Sequence, residues 1–168
     1  MAILLTGAPG VGKTTVIVRF AEIIGNRATG FVTTEIREGR SRIGFDIVTF
    51  NGKRGVLARK GLKSRYRVGL YGVDIKSFEN IALSEMQLYS NKISIIDEIG
   101  KMELHSGEFR RRLIEILNSG KPVVATIMSK SHPFTDKIKK RADCKVIEVT
   151  RGNRDEILER LVKICVGL

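Results

Sequence analysis

Residues 7–14 read Gly7-Ala8-Pro9-Gly10-Val11-Gly12-Lys13-Thr14 and match the pattern G-x-x-x-x-G-K-[ST]. In such a loop the glycines let backbone N–H groups curl around a phosphate without a Cβ in the way. The lysine reaches the β- and γ-phosphates, and the hydroxyl after it binds Mg²⁺. We therefore predict that residues 7–15, ending at Thr15, bind nucleotide phosphates, that Lys13 also neutralises charge during catalysis, and that Thr14 is a metal ligand.

The residues on either side of this loop supply the context that it requires. Ala2–Thr6 is a short apolar run, which predicts a buried strand. Lys13–Ile24 follows the spacing of an amphipathic helix, with apolar side chains at Val16, Ile17, Phe20, Ala21 and Ile24. A helix that starts at the loop directs its positive end toward the bound anion.

The rest of the chain alternates between strand and helix patterns. Further strands are predicted over residues 31–36, 92–96, 122–127 and 144–149. Helices are predicted over residues 74–89 with Asp74 as N-cap, 109–117 after Ser106, 133–141 and 153–166. This alternation predicts one α/β domain, residues 1–168, with a mainly parallel sheet covered by helices on both faces.

Residues 39–72 follow a different pattern. Alternating stretches on either side of Asn51-Gly52 predict an antiparallel β-hairpin inserted into the domain and joined to the main sheet.

The predicted strand over residues 92–96 ends in Asp97-Glu98. An acid at the end of a buried strand beside a phosphate loop holds Mg²⁺ in P-loop enzymes. We assign that role to Asp97. A carboxylate one residue further along can accept a proton from the attacking water, so Glu98 is predicted to be the catalytic base.

Several stretches of the sequence resemble the THEP-type, or cancer-related, nucleoside-triphosphatases. The most specific is Asp97-Glu98-Ile99-Gly100-Lys101-Met102-Glu103-Leu104, followed by Ser106 and Phe109. Others are residues 30–37, 42–45 and 67–74, then Thr150 and residues 153–155. The resemblance implies a three-layer RecA-like P-loop fold and hydrolysis of ATP, GTP and other triphosphates with loose base preference.

Other polar residues are weaker candidates for the site. Gly100 and Lys101 are predicted to contact the nucleotide, because they follow the acidic strand on the phosphate side of the sheet. Thr126 or Ser129 could sense the γ-phosphate, although ordinary polarity at a strand end is the favoured interpretation. The candidates for an arginine that stabilises the transition state are Arg37, Arg40, Arg59, Arg65 and Arg67.

The net charge of +12 favours polyanionic partners, and the basic residues are unevenly spread. No acid lies between Asp46 and Asp74, whereas the segment 53–67 contains seven Lys and Arg residues. A solvated basic surface explains such a run, as do a phosphate-facing loop and a nucleic-acid patch. The alternatives to a nucleoside-triphosphatase are therefore a nucleotide or polynucleotide kinase, with Glu35 binding the acceptor, and a nucleic-acid-binding module with a regulatory nucleotide site.

The sequence also bears on the location of the protein in the cell. No apolar run approaches the roughly 18 residues of a membrane span, and the first residues lack the charged region of a signal peptide. We expect a cytoplasmic monomer without membrane contact. Cys144 and Cys165 are expected to be buried and inert.

Overall fold

The computed structural model of the protein describes residues 1–167. Its strands are β1 (Ala2–Thr6), β2 (Ala28–Glu38), β3 (Ser41–Thr49), β4 (Arg54–Lys60), β5 (Arg67–Val68), β6 (Tyr71–Val73), β7 (Ile93–Ile99), β8 (Val123–Ile127) and β9 (Cys144–Glu148). Its helices are α1 (Lys13–Ile24), α2 (Ile75–Glu85), α3 (Gly107–Asn118), α4 (Pro133–Lys139) and α5 (Arg154–Val166). None of the helices within residues 1–167 combines the length and apolar character needed to cross a membrane.

All nine strands form one sheet, in the order β5-β6-β4-β3-β2-β7-β8-β1-β9. The strands β2, β7, β8, β1 and β9 pair in parallel. Strand β8 lies between β1, which leads into the phosphate loop, and β7, which carries Asp97. Leu5 pairs with Thr126, and Ile96 pairs with Ala125, so the carboxyl ends of these three strands meet at one edge of the sheet.

Helices cover both faces of this sheet. On one face α1 and α5 pack through a cluster that includes Ile17, Phe20 and Leu161. On the other face α2, α3 and α4 pack through a cluster that includes Phe78 and Phe109, whose rings meet edge to face. The predicted α/β fold, with its parallel strands and three layers, is confirmed.

The antiparallel insertion is larger than the predicted single hairpin. Strand β2 extends beyond the predicted residues to Glu38 and turns at residues 39–40 to pair with β3. The turn at Asn51-Gly52 then joins β3 to β4, as predicted, and β6 and β5 add two more strands. The parallel part of the sheet is therefore extended sideways by four antiparallel strands.

The predicted end of helix α2 is corrected. Helix α2 begins after Asp74, whose carboxylate accepts a hydrogen bond from the Ser77 N–H as predicted, but it ends at Glu85 rather than Tyr89. The Glu85 carbonyl accepts a hydrogen bond from Thr29, which fixes the end of the helix against β2.

The cysteines are unpaired but only partly buried. Cys144 begins the edge strand β9 and Cys165 lies in the last turn of α5, and neither position is fully covered by packing. Burial nevertheless raises the pKa of both thiols.

Candidate active site

The phosphate loop joins β1 to α1, and its glycines adopt backbone conformations that other residues rarely take. Gly7, Gly10 and Gly12 have φ values of 144°, 77° and 100°. A Cβ at Gly7 would lie 2.5 Å from the Val149 carbonyl oxygen, so a side chain does not fit there. Gly12 is the residue immediately before α1. The N–H groups of the loop and the positive end of α1 are therefore available to one anion.

Lys13 is the first residue of α1, and its side chain returns over the loop. Its ammonium group donates hydrogen bonds to the carbonyls of Gly7 at 3.0 Å and Ala8 at 3.2 Å. These contacts place the positive charge of Lys13 at the mouth of the loop, where phosphate oxygens would bind.

Asp97 lies near the end of β7 and contacts the start of α1. Its carboxylate accepts hydrogen bonds from Thr14 Oγ1 at 2.8 Å and Thr126 Oγ1 at 2.6 Å. The residue is 1% exposed. Burial raises the pKa of the Asp97 carboxyl, while the two hydroxyls and the Thr33 backbone hydrogen bond oppose that rise. The carboxylate is thus held in one orientation and flanked by oxygen atoms.

Glu98 is half-buried and faces a cavity of about 500 Å³ that the phosphate loop borders through Gly7, Pro9 and Lys13. Burial is the main cause that raises the pKa of the Glu98 carboxyl, and the neighbouring charge of Asp97 adds to it, whereas Lys13 lowers it. A carboxylate with a raised pKa binds a proton more readily than an ordinary glutamate does.

The antiparallel strands build the wall of the cavity opposite the loop. Phe45 of β3, Leu57 of β4 and Val68 of β5 contribute apolar side chains, and Arg42 contributes a guanidinium group. The insertion therefore takes part in the site instead of being a separate appendage.

The turn after β7 also borders the cavity. Gly100 and Lys101 lie in its lining, as does the buried Glu103. A Cβ at Gly100 would lie 3.1 Å from Glu103 Oε2 and 3.2 Å from Glu98 Oε1, so the glycine allows the two carboxyl groups to approach the backbone. Burial, with the charge of Glu98, raises the pKa of Glu103 to about 8.

The residues predicted for the site are thus brought together at one sheet edge. The loop residues Ala8, Gly10, Val11 and Thr15 lie in or beside the same turn, since they are contiguous with Lys13 and Thr14. The hydroxyl of Thr126 binds Asp97, a contact that the position of Thr126 at a strand end does not reveal. Arg42 belongs to the family-like stretch 42–45, but no pattern in the sequence predicts that it lines the cavity. Ser129, the other strand-end candidate, lines the cavity.

Comparisons with known proteins identify relatives of the chain. The chain matches a family model described as NTPase over residues 2–162. It is 45% identical over 166 residues to the nucleoside-triphosphatase THEP1 of Thermotoga maritima, covering 98% of this chain and 95% of the relative. It is 41% identical to the human cancer-related nucleoside-triphosphatase, with 95% and 94% coverage.

Solved structures extend the likeness to the fold. The crystal structure of THEP1 from the hyperthermophile Aquifex aeolicus matches with a TM-score of 0.91 at 39% identity, covering 98% of this chain and 99% of the other. The solution structure of a human cancer-related nucleoside triphosphatase matches with a TM-score of 0.82 at 39% identity, covering 97% and 96%.

Proposed function

The chain belongs to the family of THEP1 and cancer-related nucleoside-triphosphatases, and we propose that it removes the γ-phosphate from nucleoside triphosphates by hydrolysis. The observation that carries this proposal is the position of Glu98. The carboxylate follows Asp97 directly, faces the cavity beside Lys13, and has a pKa raised by burial. A group in that position can take a proton from water, which hydrolysis needs.

The residues beside Glu98 fit a magnesium ion. Thr14 and Asp97 present a hydroxyl and a carboxylate within hydrogen-bond distance of each other at the positive end of α1. Such oxygen atoms are the ligands that Mg²⁺ prefers. We propose that these two residues would hold Mg²⁺, which would offset the negative charge of the substrate phosphates when bound.

The remaining steps use side chains of the chain itself. The loop N–H groups and Lys13 bind the phosphates and orient the γ-phosphate toward the cavity. Glu98 orients a water molecule on the far side of that phosphate and accepts its proton as the water oxygen bonds to the γ-phosphorus. The bond from that phosphorus to the β–γ bridging oxygen breaks, and the diphosphate leaves with the bridging oxygen. Thr126 keeps the Asp97 carboxylate in place through its hydrogen bond of 2.6 Å. The products are a nucleoside diphosphate and inorganic phosphate.

Loose base preference forms the second part of the proposal. The loop contacts phosphate through backbone groups and Lys13, none of which recognises a base. Arg154, at the start of α5, packs against the loop so closely that a Cβ at Gly12 would lie 2.7 Å from its Cδ. A guanidinium plane can stack on any base, since every base has a π-face.

The test is release of free phosphate from purified protein with ATP, GTP, CTP or UTP, with Mg²⁺ present or removed by a chelator. We expect release from several of the nucleotides, lost when Mg²⁺ is removed. Absence of release from all four, with nucleotide binding intact, would contradict hydrolysis. Release from only one nucleotide would contradict the loose base preference alone.

The kinase alternative assigned Glu35 to an acceptor hydroxyl. Glu35 instead forms ion pairs with Arg37 at 2.7 Å and Arg42 at 2.8 Å, so both of its oxygen atoms are occupied. This arrangement favours hydrolysis over transfer. Labelled γ-phosphate that appears on an added nucleotide or polynucleotide would reverse that preference.

The nucleic-acid alternative is based on the basic segment 53–67. Three of its cations are engaged by acids: Lys53 binds Glu85 at 3.1 Å, Arg54 binds Asp46 at 2.7 Å, and Arg59 also binds Asp46. The segment therefore presents less free positive charge than its sequence suggests. Retention on a nucleic-acid column with a steep salt dependence would support this alternative.

A further inference from the structure

The cavity beside the phosphate loop contains one arginine among its lining residues. That residue is Arg42, near the start of β3. Of the five arginines suggested by the sequence (Arg37, Arg40, Arg59, Arg65 and Arg67), none lines this cavity within residues 1–167. We propose that Arg42 contacts the γ-phosphate and stabilises the charge that develops on it during hydrolysis. This inference rests on the proposed function and adds a catalytic residue to it.

The Arg42 side chain is fixed before any substrate binds. Its Nη1 donates to Glu35 Oε1 at 2.8 Å, and its Nε donates to the Tyr71 hydroxyl at 3.1 Å. The guanidinium carbon also lies 5.1 Å from the centre of the Phe45 ring. A charged group that is already oriented stabilises a transition state without a cost of reorganisation.

One end of the guanidinium group remains available to a ligand. Nε and Nη1 are engaged, whereas Nη2 donates to no acceptor in the part of the chain that the structure describes. The side chain is also partly open to solvent, at 43% exposed. The two N–H groups of Nη2 can donate to oxygen atoms of a phosphate, and the charge of the guanidinium group strengthens these hydrogen bonds.

Two of the other candidate arginines are engaged elsewhere. Arg59 Nη1 donates to the Phe45 carbonyl at 2.7 Å, and its Nη2 binds Asp46. Arg65 lies over the Tyr66 ring, at 4.7 Å from its centre.

Arg37 provides a closely matched comparison with Arg42. The two residues are cross-strand partners in the β2–β3 pair, and both form an ion pair with Glu35. Their side chains are similarly exposed, at 54% and 43%. Only Arg42 lines the cavity. The role of holding Glu35 is therefore shared by both residues. Of the two, Arg42 alone also contacts Tyr71 and Phe45, so a loss of kcat in its variants is interpreted together with nucleotide affinity, thermal midpoint and the binding of a transition-state analogue.

The experiment compares Arg42→Lys and Arg42→Ala with Arg37→Lys and Arg37→Ala. We expect kcat for phosphate release to fall by about 10²-fold or more in both Arg42 variants, since arginines in this role contribute 10³ or more in related reactions. Lysine should not rescue, because a single ammonium group cannot keep the contacts to Glu35 and Tyr71 and present N–H groups to the phosphate at the same time. The Arg37 variants should stay within about threefold of wild type, as for an exposed ion pair. Nucleotide affinity and the thermal midpoint of unfolding should be similar in the Arg42 and Arg37 variants that carry the same substitution.

A second measurement separates catalysis from folding or binding. Aluminium fluoride with ADP and Mg²⁺ mimics the planar γ-phosphoryl group, so it should tighten ADP binding in wild type and in the Arg37 variants. The Arg42 variants should bind ADP alone normally and lose that tightening. Normal tightening in Arg42→Ala, or equal losses of kcat in the Arg37 and Arg42 variants, would overturn the proposal. Wild-type protein without phosphate release would instead overturn the proposed function itself.

Discussion

Thr14 and Asp97 are 83 positions apart in the chain, and a hydrogen bond of 2.8 Å joins the hydroxyl of one to the carboxylate of the other. The contact arises because β8 separates β1 from β7, which brings the start of α1 over the end of the acidic strand. It places two oxygen ligands beside the phosphate loop. The topology of the sheet, not only the motif, therefore builds the proposed metal site.

Replacing Thr14 by Val removes the hydroxyl but keeps the size of the side chain. We expect the Mg²⁺ concentration that gives half-maximal phosphate release to rise by about 10- to 100-fold, the range seen when groups that support a metal site are removed. Titration of Mg²⁺ at saturating ATP measures this concentration. Thr14→Ser keeps the hydroxyl and should remain near wild type. A Val variant with an unchanged Mg²⁺ requirement would show that Thr14 is not a ligand.

The buried Glu103 predicts a dependence of stability on pH. Its pKa is about 8 in the folded protein against an ordinary value of 4.5, because burial and the charge of Glu98 disfavour ionisation. Between these two values the unfolded chain has lost the proton and the folded chain keeps it, so stability falls as pH rises. From pH 5 to pH 8.5, in Mg²⁺-free buffer, this effect should lower the free energy of unfolding by about 4 kcal/mol.

The variant Glu103→Gln cannot ionise and should lose this contribution. Urea unfolding at several pH values should show the variant gaining stability relative to wild type as the pH rises toward 8, with a constant difference above it. Glu108→Gln is the control. Glu108 is exposed and Arg111 lowers the pKa of its carboxyl, so any stability that Glu108 contributes is lost as the pH falls, opposite to the direction expected for Glu103. A parallel pH dependence of wild type and Glu103→Gln would contradict the assignment.

Gly30 is required where β2 meets β7. Its φ is 110°, and a Cβ there would lie 2.0 Å from the Ile95 carbonyl oxygen. We expect Gly30→Ala to cost about 3 kcal/mol or more, because the clash adds to an unfavourable backbone conformation. Gly120→Ala, at a φ of 72° with open space around it, should cost only about 1 kcal/mol. Equal losses in urea unfolding would contradict a tight contact at Gly30.

Local patterns predicted the elements that build the phosphate side of the site. A phosphate loop needs glycines and a lysine in sequence, and Asp97-Glu98 follows an apolar strand, so each of these features is contiguous in the chain. The predicted strands and helices of the parallel region are confirmed apart from their ends. The sequence predicts too long a helix α2 because the apolar residues Met86 and Tyr89 continue its spacing. The contact of Thr29 with the Glu85 carbonyl is not visible in a sequence.

The antiparallel side was harder to predict, because it depends on strand pairing. Asn51-Gly52 gave one recognised turn, whereas the turns at residues 39–40 and 69–70 have weaker signals. Arg42 reaches the cavity because β3 folds back along β2, and its partner Arg37 does not. Two arginines five residues apart look equivalent in the sequence. Their different positions relative to the cavity are visible only in the folded structure.

The variant Glu98→Gln tests whether Glu98 activates water for hydrolysis. Nucleotide affinity and phosphate release should be measured on the same preparation with Mg·ATP. We expect affinity near wild type and release reduced by about 10²-fold or more, because the amide keeps the shape of the side chain but cannot accept the proton. Release at the wild-type rate, or loss of affinity together with release, would contradict this role of Glu98.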